Sequence, residues 1–99
     1  MPYYVVINEQ GPSWNDSIPM REQNGWNEHA EFMNALEDEG FIKLGGALGN
    51  YSKHRAMLIV NAPSEQILRA RLAEDPWMVT GVLRTIETYP WEILLGKMG

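Results

Sequence analysis

The sequence predicts an α+β domain on the ferredoxin-like βαββαβ plan, with one antiparallel sheet and both helices on one face. Three observations carry this expectation. The segment YYVVIN (3–8) is β-branched and aromatic, whereas GWNEHAEFMNALEDEGF repeats its apolar residues at three/four spacing. Two strand-like runs, FIKLGGAL and HRAMLIVN, then follow with no helix between them. A second helical stretch and an alternating run, VLRTIETY, complete the order β-α-β-β-α-β.

The first strand, residues 3 to 8, reads as buried on both faces and hence central in the sheet. Residues 9 to 24 hold Gly11, Pro12, Asn15, Asp16, Pro19 and Asn24. So long a connection is expected to fold back as a flap, anchored by Trp14, Ile18 and Met20. The first helix is expected over 25–39, capped by Asn24 or Gly25 and ended by Gly40 in the left-handed conformation. Trp26, His29, Phe32, Met33 and Leu36 form its inner stripe.

A strand over 41–48 carries Gly45-Gly46, a pair that suggests a bulge or a close backbone approach. A turn over Gly49, Asn50 and Ser52 leads to a third strand, 54–61. The second helix spans 65 to about 73, with Ile67, Leu68, Arg71 and Leu72 facing inward and the Arg71 stem covering apolar surface. Asp75-Pro76 ends it and starts a short helical turn to Thr80, closed by Gly81. The last strand is expected over 82–89. Pro90 is expected to interrupt it, with 91–95 forming a fifth, edge strand.

Ninety-nine residues make one domain, 1–99. The chain has no cysteine, which excludes disulfides, thiol nucleophiles and thiolate metal sites. A net charge of −5 with few, scattered basic residues argues against nucleic acid as a partner. No signal-peptide pattern or membrane-length apolar run is read from the chain, so a cytoplasmic location with no membrane partner is expected. Two separated histidines without a supporting carboxylate motif argue against a metal site. The glycines open no helix, so no phosphate loop or dinucleotide fingerprint is present, and no cofactor is expected.

The candidate chemistry lies in two residues. His29 sits on the inward face of the first helix, where an imidazole must be satisfied by a partner. Asp75 opens the DPWMVTG turn and can supply a carboxylate. One oxygen can cap the turn while the other holds the imidazole. No serine or threonine is placed as a nucleophile. Trp14, Trp26, Trp77 and Trp91 exceed what a small core readily hides, so they either fill the core and a dimer interface or line a pocket. Gly45 and Gly46 offer backbone N–H groups at close range. Arg21 and Arg84 are available either to an anionic substrate group or to surface ion pairs. His54, between Lys53 and Arg55, reads as a solvated turn residue.

The residues GPSWND, REQNGWNEHAEFMNALEDEGF, LGGALG and LRARLAEDPWMVTGVLRTIETYPWEILL resemble the YCII-related (YciI-like) family, part of the dimeric α/β-barrel group. The resemblance runs from about Tyr3 to Leu95. It implies a ferredoxin-like protomer that dimerises through its sheet, with a cleft between sheet and helices. It further implies a His and an Asp in that cleft as an acid–base pair, at positions that match His29 and Asp75. A relative in this group is similar to a dehydrochlorinase acting on a chlorinated aromatic, and structural cousins isomerise lactones. The family's usual Pro after Gly-Gly is Ala47 here, which loosens the rim of the cleft.

Two functions follow as expectations. One is a cofactor-independent lyase or isomerase acting on a small ring, with His29 and Asp75 catalytic and Trp14, Trp26, Trp77, Gly45, Gly46 and Arg21 around the substrate. The other is a non-catalytic ligand-binding or assembly domain. In either case Val5 to Ile7 and Leu58 to Val60 predict a homodimer through apolar sheet faces.

Overall fold

The computed structural model describes residues 2–49 and 52–96. Its elements are β1 (Tyr3–Gln10), a 3-10 turn (Met20–Glu22), α1 (Trp26–Asp38), β2 (Ile42–Leu48), β3 (Arg55–Asn61), α2 (Glu65–Leu72), α3 (Pro76–Thr80) and β4 (Leu83–Trp91). The four strands form one antiparallel sheet in the order β2-β3-β1-β4. This is the ferredoxin-like arrangement, with β1 central and the helices on one face. Asn50, within the expected second turn, lies outside the described residues.

Strand alternation sorts the sheet into two faces. Tyr4, Val6, Leu58 and Val60 point to the helices and join Leu36, Phe41, Ile42, Leu68 and Leu72 in the main core. Tyr3, Val5 and Ile7 turn the other way and stay half-buried, so β1 is not sealed on both faces as a single chain. Leu44, Met57, Tyr89 and Trp91 lie exposed on that open face. A second, smaller core gathers Trp77, Val82 and Leu83 with Trp14, Met20, Trp26 and Met78. It sits at the junction of α1, α3 and the flap, and it positions the site.

The helix signals resolve simply. Gly25 at φ 82° is the N-cap of α1, and Gly40 at φ 80° leads the chain out of it. Ser64 caps α2 by accepting the Ile67 N–H. The Arg71 guanidinium lies 4.7 Å from the Phe41 ring centroid and also bonds Glu39. Ile67 departs from the expected inner stripe and is exposed.

Two strand boundaries differ from expectation. β1 continues through Glu9 and Gln10, which shortens the flap expected from residue 9. Glu9 lies between Arg55 and Arg84 on the neighbouring strands, at 3.0 Å from each, and these cross-strand ion pairs hold a turn-prone segment in the sheet. At the far end, β4 runs through Pro90 to Trp91, and no fifth strand follows among the described residues; Glu92 to Leu94 carry no regular structure. β4 is an edge strand, so a residue without an N–H is accommodated there. Bulges fall at Ile86 in β4 and Lys43 in β2, ahead of the glycine pair rather than at it.

Candidate active site

His29 lies in the first turn of α1, its N–H bonded to the Gly25 carbonyl. The helix stripe turns its ring inward. Asp75 stands at the other side of the junction. It has the extended ψ of 126° that a residue before proline favours, and it is the N-cap of α3. Its carboxylate does two jobs. Oδ1 accepts the Trp77 N–H at 2.9 Å, and the two oxygens face His29 Nδ1 at 2.9 and 2.8 Å. Both residues are buried, His29 at 8% exposure and Asp75 at 2%. An ionised carboxylate only accepts, so the proton of a neutral His29 sits on Nδ1. That leaves Nε2 with a lone pair.

Trp77 fixes the plane of the imidazole. The two rings stack at 4.0 Å with 9° between their planes. Trp77 itself is tied to the start of α1, because its Nε1–H donates to the Asn24 carbonyl at 2.8 Å. The Asp75 hydrogen bond and the Trp77 stack hold His29 directly, and the α3 cap and the Trp77–Asn24 tie fix those two partners in turn. Trp26 leans on both rings, at 5.8 Å from His29 and 5.6 Å from Trp77.

His29 opens into a cleft of about 360 Å³ between α1 and the β2–β3 half of the sheet. This volume is at the lower end of the range of small-molecule sites, roughly 300–1,000 Å³. Trp26, Met33, Leu58 and Trp77 contribute its apolar wall. Gly45, Gly46 and Ala47 line its strand side. Gly45 keeps that side open: a Cβ there would stand 2.8 Å from the Leu58 Cδ2 atom.

The remaining candidates divide. Trp14 does not line the cleft itself; it backs the site, edge-on to Trp77 at 6.1 Å and stacked on His54. Arg21 is exposed on the 3-10 turn and does not line the cleft. Arg84 pairs with Glu9 across the sheet, at positions on its open face. Arg84 first, then Arg55, holds the Glu9 carboxyl below its ordinary value. Among the described residues no three His, Cys, Asp or Glu side chains gather as a metal site, and no helix is long and apolar enough to cross a membrane.

Two residues escaped the sequence reading. His54 is not a solvated turn residue. It is half-buried, stacks on Trp14 at 4.5 Å with 10° between planes, and lines the cleft. Gln23 is buried and pins the flap: its amide donates to the carbonyls of Asn15 and Ile18 and accepts the Asn15 N–H. A polar residue in a turn-rich segment carries no periodic signal, so neither was visible from local spacing.

No family model and no curated protein matches the chain. Among solved structures, the chain is similar to 5-chloro-2-hydroxyhydroquinone dehydrochlorinase (TftG) from Burkholderia phenoliruptrix AC1100, in complex with 2,5-dihydroxybenzoquinone. The TM-score is 0.57 over 90% of this chain and 93% of that one, at 20% identity. The likeness establishes a shared fold and leaves membership of the YCII-related family unassigned.

Proposed function

We propose that this protein is an acid–base lyase or isomerase acting on a small oxygenated ring, with His29 as the proton-transfer group and Asp75 as its positioning partner. The observation that carries the reading is the His29–Asp75 pair at 2.8 Å beside an aromatic-walled cleft. The fold shared with a dehydrochlorinase supports the reaction class.

The chemistry asks little of the protein beyond proton transfer. For a chlorinated hydroquinone, Nε2 of His29 takes a proton from one ring hydroxyl. The electron pair pushed into the ring captures that proton at the carbon bearing chlorine. A second hydroxyl proton then leaves to the imidazole, and chloride departs with its bonding pair. The net change is loss of HCl. Replacing C–Cl by C–H balances oxidation of the ring to a quinone, so no outside oxidant enters. Asp75 holds the tautomer and stabilises the imidazolium.

The test is anaerobic turnover of chlorinated hydroquinones, followed by chloride release and quinone absorbance. Wild-type protein is expected to turn over, and a folded His29→Ala variant to lose about 10²- to 10⁴-fold. A folded variant at full rate would sink the reading. One observation favours the alternative, a non-catalytic binding domain: Asp75 Oδ1 already serves as the α3 cap. In that case ligand binds without turnover, in wild type and variant alike.

We further infer a homodimer through the open sheet face. Leu44 and Met57 on one side of β1 and Tyr89 and Trp91 on the other are exposed there, joined through the half-buried Tyr3, Val5 and Ile7, the kind of apolar patch a second copy of the chain covers. A cytoplasmic location accompanies this reading.

A further inference from the structure

The cleft is lined by a second imidazole, carried just before β3 where His29 is carried by α1. His54 immediately precedes β3, and its backbone is clamped to the end of β1. The Gln10 N–H donates to the His54 carbonyl at 2.9 Å, and the His54 N–H donates to Gln10 Oε1 at 2.7 Å. Its ring lies flat on Trp14 of the flap. Neither ring nitrogen has a hydrogen-bond partner among the described residues. The titratable side chains lining the cleft are His29, His54 and Glu37, and Glu37 is exposed. A ring held in place by stacking and by its backbone, with both nitrogens unused by the protein, is preorganised for a ligand.

We propose that His54 is a second ligand-contacting group, and that the cleft selects rings carrying hydrogen-bonding oxygens on two edges, one met by His29 and the other by His54. The inference takes its ligand class from the ring-substrate reading above. A neutral imidazole offers one donor and one acceptor, so His54 suits both a hydroxyl and a quinone oxygen. Burial, reinforced by the neighbouring His29, holds its proton affinity below the ordinary histidine value. This favours the neutral imidazole that such contacts use.

The experiment titrates the protein with 2,5-dihydroxybenzoquinone and follows both imidazoles by long-range nitrogen–proton NMR. Both rings are expected to respond with one saturation curve. His54→Phe, which keeps a ring against Trp14, is expected to weaken binding about tenfold, the value of one lost hydrogen bond. Phenol, with a single oxygen, is expected to bind the variant and the wild type alike. A response of His29 alone, with the variant binding normally, overturns the role of His54 and leaves the His29 reading intact. A response of both rings in a protein whose His29→Ala form retains full turnover keeps this proposal and removes the catalytic one. No response of either ring overturns the ligand class and this proposal with it.

Discussion

Asp75→Asn and Asp75→Ala separate the two jobs of one carboxylate. In the asparagine variant Oδ1, 2.9 Å from the Trp77 nitrogen in the native structure, can still accept that N–H, so the α3 cap is expected to survive. The amide nitrogen then replaces the oxygen 2.8 Å from His29 Nδ1. It is a donor, which favours Nδ1 as acceptor and the ring proton on Nε2, in competition with Oδ1, which lies 2.9 Å from Nδ1 in the native pair. The Nε2 lone pair is then lost while packing is unchanged, and turnover is expected to fall by roughly 10²- to 10⁴-fold, as for a base held in the wrong tautomer. Stability should fall by only about 1 kcal/mol, because neutral hydrogen bonds replace charge-assisted ones. The alanine variant removes the cap, worth about 1 kcal/mol. It also leaves a buried His29 nitrogen unsatisfied, at about 1–3 kcal/mol. A total of about 2–4 kcal/mol is expected for it. Urea unfolding followed by tryptophan fluorescence reads both variants. An asparagine variant with wild-type turnover would refute the tautomer reasoning. An alanine variant that loses under about 0.5 kcal/mol would show that the pair is not desolvated as its burial requires.

Gly45→Val should close the cleft, since its Cβ already reaches within 2.8 Å of the flexible Leu58 tip and the rest of the side chain enters the ligand space. Binding of 2,5-dihydroxybenzoquinone is expected to drop at least tenfold with the fold intact, and unchanged binding would remove the cleft from consideration. Met57→Glu places a charge on the open sheet face beside Ile7 and Gly46. Light scattering at micromolar concentration should report a dimer for wild type and a monomer for the variant, and a monomeric wild type would contradict the interface. Glu9→Gln tests the ion-paired carboxylate. Its folded-state proton affinity is lowered from an ordinary value of 4.5, so its stabilisation is present above pH 4.5 and is lost as the pH falls through the lower, folded value. The variant should be less stable at neutral pH and converge on wild type in acid. Parallel pH curves would refute this sign.

The periodic elements were legible because their signals are local. The three/four spacing of Trp26, His29, Phe32, Met33 and Leu36 placed the imidazole on the inner face of α1, and the Asp75-Pro76 step placed the carboxylate at a helix start. The errors arose where a distant partner outweighed local preference. Glu9 stayed in β1 because arginines on two other strands hold it, and Pro90 stayed in β4 because that strand has an open edge. His54 looked solvated beside two basic residues, whereas its surroundings are set by Trp14, forty positions earlier.

By itself, then, the sequence determined the four main strands and the helices, their order, and the presence of one inward histidine and one capping aspartate, but not the strand ends or the segment after Pro90. Those properties follow from neighbours within a few positions, where side-chain spacing and backbone preference act. The tertiary structure decided the rest. It brought His29 and Asp75, 46 positions apart, into contact, laid Trp77 flat on the imidazole, and turned Arg21 outward and His54 inward. Each of these depends on which surfaces meet when the helices pack on the sheet, and that choice is made by burial summed over the whole chain rather than by any local run of residues.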